Sequence, residues 1–261
     1  QLDKVGRVWI SEVPSLLNPQ LSIAASPLVA IKDQKIAEPI SFKIYSNYTA
    51  FIDKAEVIIF ASNDPDRIKA VHTIAVPLSI LNNQITVSWN GQFNTPVQLK
   101  EGEYLAFKLR VYDKDGRWDE TVVKELRLVS EQEKNKSLTQ LKNVSDLNLQ
   151  LKSQERGLTL DDYLVEKNVF AQNSLAIQNI PVVGSIVKLR GQDIEPGFTL
   201  QINQQSVPID SSRQFVMEYL LPIGEYSFNI EAASKTEKII QTLKTKISGE
   251  HFFMVGLADL T

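Results

Sequence analysis

The chain has 261 residues, a formal net charge of -3, 43% hydrophobic residues and no cysteine. Without cysteine there is no disulfide, no thiolate metal site and no thiol nucleophile. No basic field marks the chain for nucleic acid or anionic lipid. The length suits two ordinary domains better than one large one, and no apolar run reaches the ~20 residues of a membrane-spanning helix. An opening at Gln1 in place of Met reads as a mature or trimmed chain.

Residues 1–130 alternate in period two or form short β-branched and aromatic runs, broken by turn residues about every 8–12 positions. The strands expected are Val5–Ser11, Leu21–Ala25, Ile40–Tyr45, Ala55–Ala61, Ala70–Pro77, Gln84–Trp89, Tyr104–Tyr112 and Thr121–Val129. Turns are expected at Asn63-Asp64-Pro65-Asp66, Asn90-Gly91 and Asp115-Gly116, where side chains bond their own backbone or glycine tolerates positive φ. Within Tyr104–Tyr112, alternation places Leu105, Phe107, Leu109 and Val111 on the core face.

From Ser130 to Asn173 the texture turns polar. Leu138, Leu141 and Ser145 share a helical face while Leu147, Leu149 and Leu151 alternate, so neither period wins there. Thr159 followed by Asp162 is a helix start signature, predicting a short helix through Glu166. A β rhythm returns with strands expected at Ile186–Arg190, Thr199–Ile202, Gln205–Ile209, Gln214–Tyr219, Gly224–Ala232, Ile239–Ile247 and Phe252–Leu257. Asn203-Gln204 fits a tight hairpin. Gly224-Glu225-Tyr226 repeats Gly102-Glu103-Tyr104, each opening an alternating strand, which hints at two copies of one plan. The expected fold is all-β: two immunoglobulin-like β-sandwich domains, 1–130 and a smaller 174–261, joined by a partly helical linker over 131–173.

The segment Asn173-Ser174-Leu175-Ala176-Ile177-Gln178-Asn179-Ile180-Pro181-Val182-Val183-Gly184, the following Val187-Lys188-Leu189-Arg190-Gly191 and the run Phe252 to Thr261 are distinctive as a set. Together they resemble the periplasmic Ig-like region of large Gram-negative outer-membrane proteins, often labelled OmpA-family. The Val111-Tyr112-Asp113-Lys114-Asp115-Gly116-Arg117 hairpin is similar to Ig-like modules of bacterial surface proteins. The resemblance implies a periplasmic location, attached to the outer membrane in the full-length protein, and a role as spacer or scaffold. It implies envelope proteins or cell-wall polymer as partners, with membrane contact only through a C-terminal barrel outside this fragment. No peptidoglycan-binding domain of OmpA type is recognisable.

Asp113, Asp115 and Asp119 form the one cluster that looks like a calcium loop, with oxygen ligands at alternating positions around Gly116. Position nine of such a loop would be Thr121 and position twelve Lys124, so the twelve-residue pattern is unmet and a solvated hairpin competes. Trp118, in the same polar stretch, is the candidate exposed binding residue, while Trp9 and Trp89 read as core. His72 and His251 sit beside apolar strands without the spacing of a zinc protease or a serine triad. Asp161-Asp162 and Asp64/Asp66 fit helix-start and turn roles. The sequence thus predicts no catalytic residue and no cofactor. It reads as a non-enzymatic structural or interaction module, with a carbohydrate-binding module for cell-wall or surface polysaccharide as the alternative.

Overall fold

The computed structural model describes residues 5–13 and 18–248. The expected strand Phe252–Leu257 and His251 lie outside the described residues. In chain order the strands are β1 (Arg7–Val13), β2 (Leu21–Ala24), β3 (Leu28–Lys32), β4 (Lys35–Ile36), β5 (Ile40–Ser46), β6 (Lys54–Ala61), β7 (His72–Ala75), β8 (Gln84–Trp89), β9 (Tyr104–Tyr112), β10 (Trp118–Thr121) and β11 (Lys124–Ser130). Three helices follow, α1 (Glu131–Val144), α2 (Leu147–Glu155) and α3 (Leu160–Ala171). The remaining strands are β12 (Leu175–Ile177), β13 (Ser185–Gln192), β14 (Thr199–Ile202), β15 (Gln205–Val207), β16 (Phe215–Leu221), β17 (Gly224–Ala233) and β18 (Lys238–Ile247). The chain divides into two compact units, one of residues 19–181 and one of residues 1–18 with 182–261.

In the 19–181 unit, β2-β5-β8 form one antiparallel sheet. The second runs β12-β10-β9-β11-β3-β4, with β6 also on β9 and β7 beyond it. All these pairs are antiparallel except β3 with β11. Alternation turns Phe42 and Ile44 of β5 inward against Phe107 and Leu109 of β9, and the Phe42 and Phe107 rings meet edge-on at 5.1 Å. The core face expected for Tyr104–Tyr112 is therefore the observed one. Strand β2 is buried on both faces. Its outer side is covered by α3, whose Val165 and Val169 pack on Ala24 and Tyr45.

The 131–173 stretch, expected as an interdomain linker, is helical and belongs to this unit. Ser130 caps α1 by accepting from the Glu133 N–H at 3.2 Å, with Glu131 and Glu133 complementing the helix N-terminus. Thr159 caps α3 as its spacing predicts, accepting from the Asp162 N–H at 3.1 Å, and the helix continues past Glu166 to Ala171. Helix α1 buries no residue.

The other unit is built of β1-β13-β16 facing β15-β14-β17-β18, every pair antiparallel. Strand β1, expected in a 1–130 domain, pairs along its whole length with β13 and so joins the later strands. Val187, Leu189, Met217 and Tyr219 from one sheet and Leu200, Ile202, Phe228 and Ile230 from the other form its core. The β14–β15 hairpin turns on Asn203 and Gln204, both at positive φ.

Candidate functional site

The acidic hairpin between β9 and β10 is held by its own groups. The Asp113 N–H donates to the Arg117 carbonyl at 2.9 Å, and the Gly116 N–H donates back to the Asp113 carbonyl at 3.0 Å. Gly116 sits at φ +80°, the left-handed conformation this turn requires. The Asp113 carboxylate accepts from the Asp115 N–H at 3.0 Å, the Arg117 N–H at 2.9 Å and Arg117 Nε at 2.7 Å. Burial alone would raise this carboxyl, but the Arg117 side chain and the backbone bonds outweigh it and hold it below the usual carboxylate range. Asp115 pairs with Arg117 as well, at 2.5 Å.

Asp119 lies two strand positions beyond this turn and serves another purpose. Its side chain is fully buried. Oδ1 accepts from the Asn179 N–H at 2.6 Å and the Ile180 N–H at 2.8 Å, and Oδ2 accepts from the Tyr48 hydroxyl at 2.8 Å. The structure therefore brings Asp113 and Asp115 together around Arg117 and leaves Asp119 apart in β10, its carboxylate bound to the segment after β12. Among the described residues no group of three His, Cys, Asp or Glu side chains is arranged to hold a metal ion.

Trp118 opens β10, where the sequence suggested a polar loop. The Arg110 guanidinium lies 4.7 Å from its ring centroid. Alternation puts Trp118 and Glu120 on one face, opposite to Asp119 and Thr121. Glu120 accepts from Lys108 Nζ at 2.7 Å and from Arg110 Nε at 2.8 Å, with the Lys108 and Glu120 side chains only 11% and 10% exposed. Glu56 accepts from the Tyr112 hydroxyl at 2.7 Å and from Lys54 at 2.8 Å, while Lys54 also stands over the Tyr112 ring. Burial pushes the Glu56 carboxyl up, but the bonds from Lys54 and Tyr112 outweigh it and leave the carboxyl depressed. The result is a lattice of paired charges that locks β6, β9 and β10 side by side.

The remaining candidates divide clearly. The His72 ring stacks on Trp89 at 5.2 Å, and Trp89, buried, donates Nε1–H to the Gln92 carbonyl and meets Phe93 edge-on. Asp162 accepts from the Thr159 hydroxyl and Asp64 from the Lys69 N–H, so one carboxylate of each pair serves local structure. Trp9, expected in the core, is 40% exposed on the outer face of β1. The signal for that orientation was its alternation partners, Arg7 and Ser11, both polar.

No family model and no curated protein matches the chain. Among solved structures, the fibronectin(III)-like modules of Clostridium thermocellum CbhA align over 90% of this chain and 100% of theirs, at 9% identity and TM-score 0.24. An ICAM-5 ectodomain fragment aligns over 92% of this chain and 53% of that one, at 9% identity and TM-score 0.23. The Bacillus cereus major pilin BcpA aligns over 88% and 67%, at 11% identity and TM-score 0.21. At such scores the likeness transfers no residue, ligand or partner.

Proposed function

We propose that the chain is a non-enzymatic structural and interaction module of two immunoglobulin-like sandwiches, acting as spacer or scaffold in the periplasmic part of an outer-membrane protein. The observation that carries this reading is where the buried polar groups go. Asp119 and Glu120, adjacent in β10, are both spent on cross-bracing, one toward Tyr48 and residues 179–180, the other toward Lys108 and Arg110. Such networks confer rigidity, which is what a spacer needs.

The strand orders support the immunoglobulin-like assignment. In the unit containing β13–β18, a three-stranded sheet of first, second and fifth strands faces a four-stranded sheet of the others. Tyr226, near the start of the penultimate strand β17, donates its hydroxyl to the Pro222 carbonyl at 2.9 Å. That is the tyrosine-corner arrangement of such sandwiches. Partners would add to strand edges, and β18 offers ten residues that, among the described residues, are paired on one side only, by β17.

The test is fractionation of cells expressing the parent gene with an epitope tag, combined with reading its frame past Thr261. Recovery in the outer-membrane fraction, protected from added protease until the envelope is opened, and alternating strands of ~10 residues downstream are the expected results. A cytosolic protein, or a frame without such strands, would overturn the location.

A further inference from the structure

The three tryptophans have different surroundings, and Trp9 alone of them is exposed. Trp89 is packed between His72 and Phe93, and Trp118 lies under Arg110. Trp9 has no stacked ring or cation among the described residues and is 40% exposed. It stands on the outward face of the β1-β13-β16 sheet, where the register aligns Trp9, Arg190 and Val216 in one row across all three strands. Side chains opposite one another in register share a face and approach closely. Val216 is 56% exposed, and Arg190 is exposed too.

Charge singles out the same row. On one side the next row is Ser11, Lys188 and Glu218, with Lys188 paired to Glu218 at 2.6 Å. On the other side Arg7 stands opposite Gln192 and is paired with Asp193. Arg190 has neither an ion pair nor a side-chain hydrogen bond among the described residues. The face therefore combines an open indole, an aliphatic neighbour and one uncompensated guanidinium, flanked by the Ser11 hydroxyl and the Gln192 amide.

We infer that this face binds an acidic polysaccharide, a sugar ring stacking on Trp9 while its carboxylate pairs with Arg190. A guanidinium matches a carboxylate in a two-pronged geometry, and an indole offers a flat apolar surface to the C–H face of a sugar. A small ligand would need a concave site to be enclosed, and an extended peptide is held chiefly through strand edges or grooves. A flat sheet face suits a polymer lying across the strands, with carboxylates recurring along its length. The inference rests on the alternative, carbohydrate-binding reading of the sequence and not on the envelope location, so its failure would leave the fractionation result standing.

The experiment titrates the 261-residue chain with polygalacturonate, uncharged galactan and polyglutamate, following tryptophan fluorescence and calorimetric heat. Polygalacturonate is expected to bind, and Trp9→Ala and Arg190→Gln are each expected to weaken it at least ~10-fold while thermal unfolding stays unchanged. Trp9→Phe should retain most of the affinity, which separates loss of stacking from loss of fold. The proposal is overturned if polygalacturonate does not bind, or if galactan binds as tightly. Equal binding of polyglutamate, insensitive to Trp9→Ala, would reduce the site to bare charge and overturn it too. So would sedimentation showing a dimer that Trp9→Ala dissociates, in the absence of glycan binding, since the face would then belong to a second copy.

Discussion

Tyr48 and Asp119, 71 residues apart in sequence, are joined by a buried 2.8 Å hydrogen bond in which the phenol donates to the carboxylate. Neither side chain reaches solvent. Because the same carboxylate also holds the N–H groups of Asn179 and Ile180, it ties three distant pieces of chain together. Hydrogen bonds to a charged group contribute about 1.5–3 kcal/mol, so Tyr48→Phe should destabilise the 19–181 unit by about that much. Asp119→Ala strands a buried hydroxyl and two N–H groups, and should cost about 3 kcal/mol or more. Urea unfolding measures both, and a loss below about 0.5 kcal/mol for Asp119→Ala would contradict the brace.

The same pair predicts an alkaline limb. Burial, then the nearby Asp119 charge and its hydrogen bond, push the Tyr48 hydroxyl far above its ordinary value. The folded state thus keeps a proton that the unfolded chain loses near pH ~10. Stability is full below that pH and declines as pH climbs through and beyond it. Denaturation at about pH 9 and pH 11 should show a larger loss in the parent chain than in Tyr48→Phe, because the variant has no such proton to lose. Parallel pH profiles would remove Tyr48 from the explanation.

An acid limb of opposite sense follows from Asp113. Its carboxyl is depressed in the fold, so the stability it contributes is present above the usual carboxylate range and is lost as pH falls through the folded value. Asp113→Asn should flatten the acid side of the stability profile while leaving the alkaline side unchanged. An unaltered acid limb in the variant would show that the Arg117 contact confers nothing on folding.

Most strands were legible because amphipathic alternation is a local property. Gln84–Trp89, Tyr104–Tyr112 and Thr199–Ile202 coincide with β8, β9 and β14. What escaped was non-local. Strand β3 is a short apolar run whose long partner, β11, lies about a hundred positions away and runs parallel to it, so no periodicity marks it, and its local partner β4 is only two residues, turned on Asp33 and Gln34 without a glycine. Strand β1 reads with its sequence neighbours because nothing local encodes pairing with β13. The last long strand of the first set is broken at Val122 and Val123 into β10 and β11, and the Val122 N–H donates to Ser174. At the candidate site, residue types were readable but directions were not. Trp118 reads as a loop residue because its neighbours are charged, and the cation that stands over its half-buried ring, Arg110, comes from the adjacent strand, a pairing that local sequence does not encode.

Helix α1 should be the first point of proteolytic attack. It is amphipathic only weakly, contributes no buried residue and carries Lys134, Lys136 and Lys142. Isolated helices of this length are marginal in water, and most helical stability comes from packing. Limited trypsin digestion should therefore cut first after Lys136 or Lys142, Lys134 being held by Glu38. Initial cleavage within a sheet strand would contradict the distribution of stability read from burial.

Gly191 and Gly116 separate two uses of glycine. A Cβ on Gly191 of β13 would lie 2.1 Å from the Phe215 ring of the neighbouring strand, in a core where Phe215 is 4% exposed. A Cβ on Gly116 would meet nothing within 4 Å, and the obstacle there is the φ of +80°. Gly191→Ala should destabilise by about 1–3 kcal/mol or more through overpacking, and Phe215→Leu in the same chain should recover part of that loss by vacating the space. Gly116→Ala should cost about 1 kcal/mol through backbone strain, with no second-site relief from core substitutions. Denaturant unfolding of the parent chain, Gly191→Ala, Phe215→Leu and the double variant forms the necessary cycle. A Gly191→Ala loss that Phe215→Leu does not reduce would show that the strand, and not the ring, demands glycine at this position.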